Sequence, residues 1–127
     1  LDLSFNKIFY IEQYSFTDLK NLNNLNLRSN QLLSISTQIL NGLINLKELD
    51  LGQNEINFID FETFNSIRNL EILNLDHNFI KELSTINKIK LNNLKTLNLN
   101  KNHINGVIVL ENLNLIRNLY LSDNFLN

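Results

Sequence analysis

The sequence predicts an α/β repeat solenoid, a curved right-handed coil with a parallel β-sheet on its concave face and loops, turns or helical turns on its convex face. Three observations carry this expectation. A pattern of apolar residues and asparagines recurs at a nearly constant period along all 127 residues. Within each copy two leucines stand two residues apart, the spacing that puts both on one face of a β-strand. One asparagine column runs through every copy, at the point where a turn off that strand carries backbone polar groups into the core. Self-similarity of this kind marks a stacked array.

The copies are found by counting. LNNLNLRSNQL begins at Leu22, LKELDLGQNEI at Leu46, LEILNLDHNFI at Leu70 and LKTLNLNKNHI at Leu94, each 24 residues after the last. IRNLYLSDNFL begins at Ile116, 22 residues after its predecessor, and the chain opens inside a further copy, LDLSFNKI. With the first apolar residue as position 1, position 4 reads Leu1, Leu25, Leu49, Leu73, Leu97 and Leu119. Position 6 reads Leu3, Leu27, Leu51, Leu75, Leu99 and Leu121, and position 11 is Ile or Leu throughout. Position 14 is also apolar, and position 9 reads Asn6, Asn30, Asn54, Asn78, Asn102 and Asn124. The chain is thus one array of about six units: 1–21 (truncated), 22–45, 46–69, 70–93, 94–115 and 116–127 (truncated).

A helix would need spacings of three and four sustained over a longer window, and the pattern breaks that rule after one step. A lone strand cannot bury its leucines. Parallel stacking buries each against its neighbours, and each buried rung contributes about 1.5–3 kcal/mol. A primary amide has two donors and an acceptor, so the position-9 asparagine is expected to satisfy backbone groups in its own turn and in the next one. These asparagines are read as a structural ladder.

Composition excludes several functions. Asparagine supplies 26 of the 127 residues, a bias that elsewhere marks low complexity but here follows the repeat. The formal charge of −2 offers no basic excess to gather phosphates, so no nucleic-acid partner is expected. No apolar stretch exceeds the four residues of Val107 to Leu110, against roughly 20 for a membrane span, so no membrane contact is expected in this segment. The absence of cysteine removes disulfides and thiolate metal sites and leaves the redox compartment open. Gly42, Gly52 and Gly106 are unclustered and form no phosphate loop. His77 and His103 stand in neighbouring copies with no carboxylate at a recognised metal spacing. No catalytic residue, metal or cofactor is expected.

This pattern resembles the leucine-rich-repeat superfamily over essentially the whole chain. Apolar residues at position 19 (Phe16, Leu40, Phe64) and position 22 (Leu19, Leu43, Ile67) make the first units similar to the typical class of animal extracellular proteins, such as Toll-like receptors and chaoptin-like adhesion proteins. The proline that often follows position 14 in that class is replaced by Glu12, Ser36 and Asp60. The unit from Leu94 is similar instead to a shorter intracellular class, with Val107, Leu110 and Leu113 spaced by threes. The resemblance implies a recognition scaffold, extracellular or at the cell surface, whose concave sheet binds a protein ligand or another repeat protein. Two alternatives stay open. An intracellular regulatory scaffold is favoured by the short unit and by the absence of Asn-x-Ser/Thr acceptors. The other is a substrate-docking array of a larger enzyme.

Outward-facing positions 2, 3, 5, 7 and 8 supply the candidate ligand-binding residues: Arg28, Lys47, Asp50, Glu71, Ile72, Asp76, His77, Lys101 and Tyr120. Lys47, Glu71 and Lys95 are expected side by side, either as a self-satisfied surface ladder or as charges that steer a partner. Ile72 and Tyr120 are large apolar groups where polar ones are expected. Either they anchor an interface, or a flanking unit or loop covers them. The chain starts at position 4 of one unit and stops three residues after the last ladder asparagine. The expectation is therefore a fragment without end caps, marginally stable or self-associating on its own.

Overall fold

A computed structural model of the chain describes residues 1–109, 113 and 115–127. Its strands are β1 (Asn24–Asn26), β2 (Glu48–Asp50), β3 (Ile72–Asn74), β4 (Thr96–Asn98), β5 (Asn105–Gly106), β6 (Asn118–Tyr120) and β7 (Phe125–Leu126). Five of them form one parallel sheet in the order β1-β2-β3-β4-β6. Leu25, Leu49, Leu73, Leu97 and Leu119 stand opposite one another in its register. The predicted solenoid is the observed fold.

Each strand is short because the chain leaves the sheet at position 8. Phe5, Ser29, Gln53, His77, Lys101 and Asp123 all adopt the left-handed conformation, with φ between 51° and 56°. Side chains other than glycine resist that region, so the surroundings must hold it in place. They do so from two sides. The position-8 N–H donates to the next unit's position-7 carbonyl, as in Gln53 to Asp76 at 2.8 Å and His77 to Asn100 at 2.9 Å. One residue later comes the asparagine ladder.

The ladder is built as expected but points the other way. Asn54 Nδ2 donates to its own Leu51 carbonyl at 3.1 Å and to Leu27 of the preceding unit at 3.0 Å. Its Oδ1 accepts from Leu32 N–H at 3.0 Å, also in the preceding unit. Asn30, Asn78, Asn102 and Asn124 repeat the arrangement. Asn6 bonds only within its own turn, to Leu3 and Ser4. The left-handed residue before each ladder asparagine turns the amide back toward the strand already laid down, so the partner is the previous unit and not the next.

Away from the sheet the chain forms single helical turns that close the core. An α-helical turn at Thr37–Leu40 buries Ile39 and Leu40. A 3₁₀ helix at Phe61–Ser66 buries Phe61 and Phe64, whose rings meet edge to face at 5.9 Å. Asp60 caps that helix by accepting from Glu62 N–H at 3.1 Å. A second 3₁₀ turn, Ile86–Lys88, buries Ile86.

Two apolar positions of the repeat lie outside the core. Leu19 is 39% exposed, because in this structure its unit has a neighbour on one side only. Val107 is 89% exposed, and Ile108 packs against the core in its place. Gly106, with φ of 84°, turns the chain there and shifts the inward register by one residue. Leu113 is buried; Leu110 lies outside the described residues.

Candidate recognition surface

The sheet's outward face is best read column by column. At position 5, Asp2, Asn26, Asp50, Asn74 and Asn98 each accept a hydrogen bond from the backbone N–H two residues on, at 2.8–3.2 Å. This local bond closes the end of each strand. Asp50, a candidate ligand residue, therefore has a structural task. The column of Asp and Asn carried this signal in the sequence. Tyr120 interrupts it, and Ser122 N–H is taken instead by Asn100 Oδ1 at 2.7 Å.

At position 7, Arg28 reaches across a whole unit. Its guanidinium meets both carboxylate oxygens of Asp76, at 2.7 and 3.1 Å, although the residues are 48 apart in sequence. Asp50 Oδ1 lies 3.5 Å from the same group. The intervening residue is Gly52. A Cβ there would stand 2.3 Å from the Arg28 Nη1 and 2.4 Å from Asp76 Oδ1. This glycine serves space, not backbone freedom. Asp76 is buried and its carboxylate also meets His77 Nδ1 at 2.5 Å. Burial pushes the Asp76 carboxyl up, but the hydrogen bonds from Arg28 and His77 outweigh it and hold it below the usual aspartate value. The same bond with Asp76 raises Arg28. Arg28, Asp50, Asp76 and His77 thus form one internal network, and His77 has a carboxylate partner that its spacing did not reveal.

At position 2 the expected charge ladder is present. Lys95 Nζ donates to Glu71 Oε2 at 2.5 Å, and Lys47 lies 3.9 Å from Glu71 Oε1. The hydrogen bond from Lys95 lowers the Glu71 carboxyl. Beside this column runs a second asparagine ladder at position 24. Asn45, Asn69 and Asn93 donate to the carbonyls of Lys20, Ile44 and Arg68 in the preceding units, at 2.8, 2.8 and 3.2 Å. With Asn21, Asn23, Lys47 and Glu71 they line a polar groove of about 470 Å³. The column Asn21, Asn45, Asn69 and Asn93 was visible in the sequence but masked by the general excess of asparagine.

The side chains left without such commitments lie elsewhere. Ile72 and Tyr120 are 37% and 46% exposed. The structure does not bring them together: Ile72 sits between Glu48 and Thr96, while Tyr120 lies beside Asn98 two strands away. Where the chain leaves the sheet, position 10 carries a stack that sequence reasoning missed. His103 lies between Phe79 and Phe125, with ring centroids 5.5 and 5.7 Å apart. Together with His77, Lys101 and Asp123 these rings line a largely apolar cavity of about 400 Å³. Phe5, Phe9, Tyr10, Leu33 and Phe58 are also exposed. Among the described residues no group of three His, Asp or Glu is placed to hold a metal ion.

Residues 20–80 match a family described as Leucine rich repeat, and residues 93–115 match a second one described in the same words. The chain belongs to the leucine-rich-repeat family. No curated protein sequence matches it. Among solved structures, TLR13 in complex with ssRNA13 aligns over 98% of this chain with a TM-score of 0.91 and 33% identity. An internalin, InlF, from Listeria monocytogenes aligns over 96% with a TM-score of 0.76 and 27% identity. A leucine-rich-repeat protein from Leptospira interrogans aligns over 99% with a TM-score of 0.66 and 28% identity. The chain spans 18%, 34% and 37% of those three chains respectively. A leucine-rich-repeat scaffold of this kind is a binding architecture. Its sheet and flanks present side chains at the fixed spacing of the strands, about 4.8 Å.

Proposed function

We propose that this segment is a recognition module of a secreted or cell-surface protein, without catalysis of its own, and that its ligand is another protein. The observation that carries the reading is the separation of free from committed side chains. Arg28, Asp50 and Asp76 satisfy one another, and Glu71 is shared between Lys47 and Lys95. Ile72, Tyr120, Phe79 and Phe125 remain exposed, with Lys101 beside the aromatic cavity. Aromatic and aliphatic groups of this kind supply the energy of protein interfaces, whereas a formal charge of −2 leaves no basic excess for phosphate binding. The surface-exposed setting rests on the resemblance of the first units, with Phe16, Leu40 and Phe64 at position 19, to the typical class of animal extracellular proteins. The RNA bound in the TLR13 structure makes single-stranded RNA the second reading.

Two measurements test this. A photo-crosslinking residue at Tyr120 or Ile72 of the full-length protein should capture one protein species in its own cells, and one at Glu62, on the opposite side, should not. Adducts sensitive to ribonuclease, or equal capture from Glu62, would overturn the protein-ligand reading. A membrane-impermeant amine reagent should label Lys101 on intact cells. Labelling that appears only after lysis would overturn the surface setting.

A further inference from the structure

Two Asn-Gly pairs occur in the sequence, Asn41-Gly42 and Asn105-Gly106, and the fold holds them differently. Both asparagines are exposed, and both glycines have positive φ, 91° and 84°. Gly42 is wedged against the backbone of Thr17: a Cβ there would lie 2.3 Å from the Thr17 carbonyl oxygen and 2.6 Å from its Cα. Around Gly106 the same position meets nothing within 4 Å.

That contrast bears on the chemistry of the asparagine side chain. Its amide carbon is open to attack by the backbone nitrogen of the following residue, provided that peptide can swing toward it. A following glycine has no Cβ in the way. A glycine pressed against another stretch of backbone still cannot make the swing.

We propose that Asn105 is a site of spontaneous deamidation and that Asn41 is protected from it by packing. The Gly106 nitrogen forms a bond to Asn105 Cγ, the Cγ–Nδ2 bond breaks, and ammonia leaves with the proton from Gly106. Water then opens the five-membered imide at either carbonyl, giving aspartate or isoaspartate. No oxidant, reductant or cofactor is needed.

The site is placed where the product matters. Asn105 stands opposite Phe125 in the two-residue pairing of β5 with β7, an exposed pairing that must open locally before the Gly106 nitrogen can attack, and Phe125 completes the stack on His103. Isoaspartate lengthens the β5 backbone by one carbon, and either product adds a negative charge beside it. Conversion therefore loosens Phe125 from the stack. An effect on ligand binding rests on the function proposed above, but the conversion itself does not.

The test is to hold the folded protein at mildly alkaline pH and body temperature. Both sites are then followed by peptide mass mapping and by methyl transfer from a protein isoaspartate methyltransferase. Asn105 should convert about tenfold faster than Asn41, a barrier lower by about 1.4 kcal/mol. Asn105→Gln should remove the signal at that site and leave Asn41 unchanged. In denaturant the two rates should converge. Equal rates in the folded protein, no conversion at Asn105, or a difference that survives denaturation would each overturn the proposal.

Discussion

The units that begin at Leu22 and Leu46 and those that begin at Leu94 and Ile116 follow one template, yet they differ in what they leave free. In the earlier pair the columns hold. Position 5 is Asn26 and Asp50, closing each strand locally, and position 24 is Asn45 and Asn69, bonded to the unit before. In the later pair the columns break. Gly106 shifts the inward register so that Val107 faces solvent, Leu115 stands where the position-24 asparagine would precede the next unit, and Tyr120 replaces the position-5 acceptor. A polar side chain that repeats is occupied by its own neighbours. The groups available to a partner are those that depart from the repeat, as local rule-breaking at functional positions leads one to expect.

The largest effects should separate interior from outer rungs. Leu51 is fully buried between units, whereas Leu121 is only partly buried. Leu51→Ala should cost about 2–5 kcal/mol in denaturant unfolding, and Leu121→Ala clearly less. Equal losses would mean that the stacked leucines do not share one core. Next comes the ladder. Asn54→Ala leaves the Leu27 and Leu51 carbonyls and the Leu32 N–H without that partner, at a cost of about 1–3 kcal/mol. Asn69→Ala, on the exposed ladder, removes one bond that water replaces, so its melting temperature should stay close to the parent's.

The fold was legible because it rests on positions that repeat. Leu25, Leu49, Leu73 and Leu97 could be aligned by counting, and they are neighbours in the sheet. The same counting placed Glu71 between Lys47 and Lys95. What it could not give were contacts that skip a unit or depend on an absence. Arg28 finds Asp76 only because Gly52 between them has no side chain, and period alone carries no information about which residue leaves that space. The stack of Phe79, His103 and Phe125 was also missed. Position 10 starts as Lys7, Gln31 and Glu55, so three later rings looked like scatter until the turns were seen to bring them into line.

The Arg28 clamp gives an intermediate effect with a pH signature. Gly52→Ala inserts a methyl group between Arg28 and Asp76, and loss of that charged hydrogen bond should cost about 1–2 kcal/mol. The Asp76 carboxyl is held below its ordinary value of 3.8. Its contribution is therefore fully present above that value and is lost as pH falls through the lower folded-state value. The parent should lose stability across that acidic window, and Asp76→Asn should lose less. Acid unfolding curves of the same slope for both proteins would mean that the clamp contributes nothing.

The smallest effect should come from Tyr120, where the later units depart from the template most visibly. Tyr120→Asn restores a short side-chain acceptor at position 5, where every earlier copy has Asp or Asn. If the repeat alone governed stability, restoring it would strengthen the end of β6. Ser122 N–H, however, already has an acceptor in Asn100, and the Tyr120 ring is nearly half exposed. The change should therefore stay within about 0.5 kcal/mol in thermal unfolding while weakening capture of the protein ligand. A large gain in stability would show that the column, and not the partner, is what the tyrosine disturbs. A large loss would show that its ring belongs to the core and leaves no anchor on the sheet face at that strand.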